Sequence, residues 1–541
     1  MKRYLYFSVL LFSAVLALFF VLHSGDPFYY SQLLCTETQY KQIRDSRTET
    51  GRELLKSLSF GQYPLFYDEP NARWFYSVDP DSPVADPTVS FSADGEKLRI
   101  AFSKKISAGK TLSFIAYTDK EYRNYELAVT TLPLIRIESP DDYLTGIVKE
   151  DIHEIRFTLF DNRPDSHYPY VQSDGTIHIR GEISRYFEKK NFRVALIEKG
   201  TGREIVENQT PLLGLRADGD WILYSPYNDQ EKIRNVFTSN LWMESCAEDN
   251  SFGLKNGMEY RFVELFWNRQ YCGLYALGYP IDAKQMGVQP DVTGHYDEFL
   301  FKQKHWGPKT EGDNPEYDGL IIQQDAVQSD LNNGIAITKM YFSMLENGAA
   351  NGLWNNDEKN ILDLWLFIKL IQGGGQVNNR EFPGKLRNMY LTVKRTETGT
   401  KILFTPWDLD MSWGNLTNTY DPSVRNYTCP YILDPDDNSY ELTVNPVSVL
   451  REKDDEINRM IRERYAELRA DGWSDQTIDR MLDGFERDIY DSGAYVRDME
   501  RWPDGNYQDP ELGLSLFREY VHERLASMDS LIETLDQTVR F

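Results

Sequence analysis

The sequence predicts an α+β fold in three consecutive parts, and three patterns along the chain support that prediction. Between residues 88 and 133, short alternating runs separated by Gly and Asp/Lys turns are typical of a small β-sandwich-like module. Residues 134–430 mix strand-like runs with helical patterns. Residues 431–541 are rich in Glu, Arg, Leu and Met at helical spacing, which predicts a helical C-terminal segment packed on the core.

The 541-residue chain begins with a candidate membrane anchor. Lys2 and Arg3 precede an apolar run over residues 4–22, which is long enough to cross a bilayer core as a helix. The basic pair favours the cytoplasm, so a single transmembrane helix would leave the bulk of the protein outside. A cleaved signal peptide is the alternative, but no small-x-small cleavage site follows the run. We predict an uncleaved membrane anchor or signal over residues 1–23, followed by a polar stalk or linker over residues 24–87.

Local periodicity predicts the individual elements in chain order. The β module has predicted strands at residues 89–91, 98–102, 111–117 and 125–129. The predicted strands of the mixed block include those at residues 177–180, 192–197, 221–224, 260–266, 272–278 and 299–301. The predicted helices lie at residues 332–346, 358–371, 451–470, 475–491 and 512–539, and a weaker helical pattern covers residues 31–58.

Charge and cysteine content restrict the classes of partner and cofactor. The formal net charge is −25, which argues against nucleic acid as the main partner because phosphate neutralisation needs a basic face. None of the four cysteines forms a C-x-x-C pair, so we expect no cysteine zinc site. Outside the cytoplasm one or two disulfides are possible, and the spacing does not choose among them.

The most informative short motif is the pair Asp408 and Asp410, which follows an apolar, strand-like run over residues 402–404. In an extended segment, positions i and i+2 point to the same side, so the two carboxylates could converge on one point. Such a pair suits a divalent cation, and Gly414 would let backbone or phosphate approach closely. The alternative is an Asp-rich surface turn in which each carboxylate caps local amides.

Several segments of the mixed block resemble, in order, the CotH family, which comprises spore coat protein H and its relatives, the atypical protein kinases. The resembling segments are IRG at 179–181, KKNFRV at 189–194, LGLR at 213–216, DWIL at 220–223, IRN at 233–235, VELFWN at 263–268, GLY at 273–275, FLFK at 299–302, RNMYL at 387–391 and WDLD at 407–410. The resemblance covers roughly residues 134–430, with a family-like helical tail after it.

The resemblance implies an atypical protein-kinase-like, two-lobed domain that binds ATP and Mg²⁺ or Mn²⁺ between its lobes. By position, Lys302 matches the phosphate-binding lysine, with Lys304 as a second choice. Asp408 and Asp410 match the metal-binding pair, and Asn388 matches a cofactor-binding asparagine that could offer its carbonyl oxygen to the metal. Three basic residues could contact phosphate, although a solvated strand face is the preferred interpretation for them: Lys189, Lys190 and Arg193.

Two departures from the family pattern weaken the enzyme interpretation. Residues 376–387 lack the Asp that serves active members as catalytic carboxylate; Asn378 or Asn379 stands in its place, and an amide cannot accept a proton. Glu381 could substitute as the base if the loop bends. Tyr279 occupies the place of the Glu that pairs with the lysine, so the expected partners of Lys302 are Glu264 or Glu298.

We therefore predict a metal-dependent kinase that transfers the ATP γ-phosphate to Ser/Thr of a surface or coat protein. The catalytic positions would be Asn379 and Glu381. The alternative is a catalytically impaired, pseudokinase-like surface module that binds a protein or cell-wall partner. A glycosidase is disfavoured because two carboxylates on one strand face lie too close together to flank a sugar.

Overall fold

The computed structural model describes residues 28–82, 86–93, 97–142, 151–181, 184–199, 205–303, 320–346, 355–371, 388–415 and 455–535. Within these ranges the chain forms four β-sheets and eight α-helices, which confirms the predicted α+β class. Among the same residues, no helix is long and apolar enough to cross a membrane. The predicted anchor lies outside them.

Two sheets at the N-terminal end share one hydrophobic core that contains Leu58, Trp74, Phe102 and Phe114. The first sheet has the order β1-β7-β3-β4, with bounds Phe28–Tyr29, Thr88–Ser92, Ser57–Phe60 and Tyr63–Pro64. The second has the order β5-β6-β10-β9-β8, with bounds Phe66–Asp68, Arg73–Ser77, Glu121–Thr130, Thr111–Tyr117 and Arg99–Phe102. A short strand, β2 (Thr48–Glu49), also pairs with β10.

The structure differs here from the predicted linker over residues 24–87. Strands β1 to β6 all lie in that segment. β1 and β3 pair with β7, β2 and β6 pair with β10, and β4 and β5 pair with their neighbours β3 and β6. Each of these six strands is only two to five residues long, so none shows a recognisable alternating pattern by itself. The strands β7 and β10 are distant in sequence, and pairing rather than local periodicity makes these segments strands.

The next eight strands form a sheet that closes on itself. Its order is β13-β12-β11-β17-β18-β16-β14-β15, and β13 also pairs with β14, so the ladder returns to its start. In chain order the bounds of β11 to β18 are Leu134–Glu138, His153–Phe160, Tyr170–Arg180, Asn191–Lys199, Ile205–Glu207, Asp220–Tyr224, Tyr260–Trp267 and Gln270–Gly278. We call this closed sheet the barrel.

A smaller sheet follows, with the order β20-β19-β21-β22. In that order its strands are Leu320–Ile322, Phe299–Gln303, Met389–Thr396 and Gly399–Pro406. The outer edge of β22 is covered by the chain before helix Glu358–Ile371, because Ile402 exchanges backbone hydrogen bonds with Asn355 and Asp357. The Asn360 side chain adds two hydrogen bonds to the backbone of Phe404, so this edge strand is held on both sides.

Eight helices complete the described structure. In chain order α1 to α8 are Glu37–Asp45, Arg234–Ser245, Gln328–Glu346, Glu358–Ile371, Asp455–Ala470, Asp475–Glu486, Ala494–Arg501 and Ser515–Thr534. Helices α5, α6 and α8 lie within the three helices predicted for the C-terminal segment, and α6 continues into a π-helical turn at Arg487–Asp491. Helix α4 packs against α5 and α8, and the short helix α7, which periodicity did not predict, packs against β18.

Two buried ion pairs join α7 to the barrel. The Lys189 ammonium donates to Asp498 at 2.6 Å, and both side chains are fully buried. The Arg497 guanidinium donates two hydrogen bonds to Glu264, both at 2.9 Å. The preferred prediction of a solvated face is therefore wrong for Lys189, since a charge placed at the barrel–helix contact needs a buried partner.

The other basic residues of that predicted face also bind protein groups. Lys190 donates to the carbonyl oxygens of Arg185 and Phe187 within the loop between β13 and β14. Arg193 donates to both carboxylate oxygens of Asp220 on β16. Among the described cysteines, Cys35, Cys246 and Cys272 are free thiols, and Cys429 lies outside the described residues.

We predict that Lys189→Met lowers the free energy of unfolding by about 3–5 kcal/mol, because it leaves the Asp498 carboxylate buried without its cation. Urea unfolding followed by tryptophan fluorescence measures the change. The matched control is Arg459→Met, which breaks an exposed ion pair with Glu456 and should cost no more than about 1 kcal/mol. Equal effects of the two substitutions would contradict a structural role for the buried pair.

Candidate functional site

The predicted site residues of the four-stranded sheet lie at one end of it. Lys302 on β19 pairs in register with Tyr390 on β21, which pairs in turn with Thr405 on β22. Asn388 immediately precedes β21, and Asp408 follows β22 after Trp407. The antiparallel register thus brings the lysine, the asparagine and the Asp-containing turn to the same edge.

The turn after β22 is not an extended segment, so the argument from i and i+2 positions is wrong. Asp408 has φ 59° and Asn388 has φ 57°, both in the left-handed region. Trp407 donates its N–H to the carbonyl of Asn388 at 3.0 Å, and the Asn388 amide donates to the carbonyl of Asp408 at 3.3 Å. The two left-handed residues and these two hydrogen bonds turn the chain out of the sheet, which leaves Asp408 exposed and Asp410 partly buried.

A helix outside the sheet fixes the middle of this turn. Leu409 donates its N–H to the side-chain oxygen of Asn235 on α2 at 2.9 Å, and both residues are buried. Asn240 on the same helix exchanges two hydrogen bonds with the backbone of Tyr260 on β17. Helix α2 therefore links the turn to the barrel.

The two carboxylates lie close enough to act on each other. The pKa of Asp410 is raised well above its usual value, first by burial and then by the charges of Asp408 and Asp229. The same three carboxylates, together with burial, raise the pKa of Tyr224. Asp229 is held by Arg234, whose backbone N–H donates to it at 2.6 Å. Three carboxyl groups thus lie within electrostatic reach of one another, and a bound cation would favour their ionised forms.

Within the described residues, no group of three or more His, Cys, Asp or Glu side chains is arranged to hold a metal ion. The acidic pair is therefore not a closed protein cage. Mg²⁺ is commonly held by only one or two carboxylates, together with water and substrate phosphates. The donor set of Asp408 and Asp410 fits that kind of site.

Two cations lie against the aromatic ring of Trp407. The Lys302 ammonium and the Arg180 guanidinium carbon each lie 5.1 Å from its centroid, and Tyr390 packs edge-on to the same ring at 5.6 Å. The pKa of Tyr390 is raised to about 12, mainly by burial; Arg180 opposes the rise and Asp408 adds to it. Cationic and anionic side chains thus meet at this edge of the sheet.

The expected carboxylate partners of Lys302 are engaged elsewhere. Glu264 is buried in its pair with Arg497, and Glu298 accepts hydrogen bonds from Lys394 and from the Arg395 backbone. Tyr279 is buried with the Arg216 guanidinium over its ring. Glu264 and Glu298 were the wrong choices because Glu264 lies in the barrel against α7, and Glu298 lies beside Lys394 of β21.

Three residues near the turn were not selected from sequence: Asn235, Asp229 and Arg180. Arg180 and Asn235 belong to the IRG and IRN segments that resemble the family, but nothing local indicates that they approach Trp407 or Leu409. The predicted residues Lys304, Asn378, Asn379 and Glu381 lie outside the described residues.

Comparison with known families identifies the region that contains this site. Residues 177–528 match the family model described as CotH kinase protein. The chain belongs to the CotH kinase family. The match begins on β13 and ends on α8, so it includes most of the barrel, the four-stranded sheet and the C-terminal helices. It confirms the resemblance and extends it through the helical tail. No curated protein matches the chain.

We predict that Asn235→Ala destabilises the protein by about 1–3 kcal/mol, because it leaves the buried Leu409 N–H without an acceptor. Thermal and urea unfolding measure the loss. The control is Glu244→Ala on the same helix, which removes only an exposed partner of Arg480 and should change stability by less than about 1 kcal/mol. If Asn235→Ala matched the control, the turn would be held by other contacts.

Proposed function

We propose that this CotH-family chain is an atypical protein kinase that transfers the γ-phosphate of ATP to a Ser or Thr hydroxyl of a surface or coat protein, in a metal-dependent reaction. The observation that carries the proposal is the meeting of Lys302 with the Asp408–Asp410 turn at one edge of the four-stranded sheet. Phosphoryl transfer requires mainly that charged groups position the phosphates and stabilise developing negative charge.

Each residue has a role that follows from its chemistry. Lys302, on a strand fixed by ladder bonds on both sides, would bind phosphate oxygens through its ammonium. Asp408 and Asp410 would hold Mg²⁺ or Mn²⁺, and Asn388 would orient the turn and offer its amide oxygen to the bound nucleotide–metal pair. When bound, the metal neutralises charge on the phosphates.

Only one residue of the segment 376–387 can act as a carboxylate base, namely Glu381. An amide such as Asn379 can hydrogen-bond the incoming hydroxyl but cannot take its proton. We assign orientation of the hydroxyl to Asn379 and proton acceptance to Glu381. In a loose phosphoryl-transfer transition state the nucleophile needs little activation, so orientation carries much of this role.

We also propose a two-lobed arrangement in which the barrel and the four-stranded sheet form the two walls of the nucleotide site. The contact of Arg180 on β13 with Trp407 after β22 supports this arrangement, because it joins the two sheets beside the Asp pair. The apolar run over residues 4–22 would anchor the protein with its bulk outside the cytoplasm. Such a kinase needs a compartment that supplies nucleotide.

A second candidate function is a pseudokinase-like surface module that binds a protein or cell-wall partner without chemistry. The observation that favours it is the burial of Tyr279 against Arg216, at the position where the family carries a lysine-pairing Glu. Tyr279 cannot form the ion pair by which a Glu at that position would orient the lysine toward phosphate. Binding and transfer experiments distinguish the two candidates.

We expect ATP with Mg²⁺ or Mn²⁺ to raise the thermal stability of the full-length protein, because a ligand that binds only the folded state stabilises it. The gain is about 2.7 kcal/mol at a ligand concentration one hundred times Kd. Lys302→Ala and Asp408→Asn should abolish the shift, while Lys359→Ala, an exposed lysine on α4, should retain it. A shift that survives both site substitutions would contradict the assigned site, and no shift in folded wild type would contradict the function.

Transfer of labelled γ-phosphate to protein substrates tests the chemistry itself. If Glu381 accepts the proton, Glu381→Gln should lower kcat by about 10²–10⁴-fold while leaving the thermal shift with ATP unchanged. Asn379→Asp, which restores a carboxylate in that interval, should raise the activity of the Glu381→Gln variant. Nucleotide binding with no transfer by wild type to any coat or surface extract would favour the pseudokinase-like module.

A further inference from the structure

Arg180 is a cation at the site for which the described residues provide no anionic partner. It is the last residue of β13, where its backbone is fixed by pairing with Asn191 on β14. Its guanidinium is partly exposed and lies against the Trp407 ring. Across the described part of the chain, Arg180 makes no hydrogen bond and no ion pair through its side chain.

The neighbouring arginines behave differently. Arg193 pairs with Asp220, Arg216 with Asp282, and Arg234 with Asp229 and Glu231. The chain carries 84 acidic and 59 basic residues, so carboxylates outnumber cations. In such a chain, a guanidinium that binds no carboxylate among the described residues has N–H donors available to the anion of a ligand.

Arg180 approaches the Asp-containing turn from the barrel side. Arg180 and Asp408 act on the same two phenols: Arg180 opposes the raised pKa values of Tyr260 and Tyr390, and Asp408 adds to both. Lys302 reaches the Trp407 ring from the other sheet. Since each cation lies 5.1 Å from the same centroid, the two cannot be farther apart than twice that distance. One polyphosphate can span such a gap.

We propose that Arg180 is a second phosphate-binding cation, which grips the polyphosphate of the nucleotide from the barrel side while Lys302 binds it from the sheet side. The inference rests on the proposed function and adds to it a residue that bridges the two walls of the site. The planar guanidinium can donate two parallel hydrogen bonds to one phosphate, and contact with Trp407 holds it in place before the ligand arrives.

This role requires that Arg180 contacts the phosphates of the nucleotide. It excludes a contact with the adenine base and a purely structural role. Isothermal titration calorimetry of the full-length protein with ATP, AMP and inorganic tripolyphosphate, at one fixed Mg²⁺ concentration, separates these possibilities. The variants are Arg180→Ala, Arg180→Lys and the control Arg156→Ala, which removes an exposed arginine from the adjacent strand β12. Circular dichroism and unliganded melting confirm that each variant is folded.

We expect Arg180→Ala to weaken binding of ATP and tripolyphosphate by about tenfold to a hundredfold, and of AMP by clearly less. Arg180→Lys keeps the charge but loses the paired hydrogen bonds, so its loss should be intermediate. Arg156→Ala should bind all three ligands as wild type does. If Arg180→Ala does not fold, Arg180→Lys provides the test. A larger loss of affinity for ATP than for AMP in that variant supports the inference.

Three results would overturn the inference. If wild type binds ATP and the Arg180 variants bind it equally well, Arg180 does not contact phosphate, while the proposed function stands. If the Arg180 variants lose affinity for AMP and ATP by the same factor, the residue shapes the site without reading the polyphosphate. If folded wild type binds neither ATP nor tripolyphosphate, the inference and the proposed function fail together.

Discussion

The geometry of the site depends on how the Asp-containing turn is held after β22 ends. Ladder bonds stop at Pro406, and the left-handed Asp408 takes the chain out of the sheet. The hydrogen bond from Leu409 to Asn235 then replaces the ladder, although its acceptor lies 174 positions earlier in the chain. Because Asn240 of the same helix hydrogen-bonds to the backbone of Tyr260, the position of the two carboxylates depends on the packing of α2 against the barrel.

The C-terminal helices belong to the same folded unit as the barrel for an electrostatic reason. Lys189 and Glu264 are charged groups of the barrel region, and both are buried against partners on α7. A charge left in that environment without its partner would cost several kcal/mol, so loss of the helix would destabilise the barrel. The family match, which continues to residue 528, agrees with this dependence.

Charges of both signs lie close together at the site. Asp408 and Arg180 act on the same two tyrosines, and Trp407 contacts both Arg180 and Lys302. The face of the aromatic ring stabilises both cations. A metal-bound nucleotide, the ligand proposed above, carries negative charge on its phosphates and positive charge on its metal. The cations of the site could bind the phosphates and its carboxylates could bind the metal.

The sequence by itself determined the features that depend on local pattern and motif order. These include the α+β class, the strands of the barrel with clear alternation, the positions of helices α4, α5, α6 and α8, and membership of the CotH kinase family, which rests on short segments in a fixed order. It also selected candidates for the site: Lys302 and Asn388 through their positions in the segments that resemble the family, and the Asp pair through its place after a strand-like run.

Tertiary structure decided what depends on pairing between distant segments. Four of the strands within residues 28–77 pair with β7 or β10, which lie outside that segment. The burial of Lys189 likewise depends on the packing of α7 against the barrel. No sequence pattern predicted the turn at Asp408 or the contact of Arg180 with Trp407. A side chain's direction across a closed sheet is set by register and packing, which are properties of the folded chain and not of any short segment.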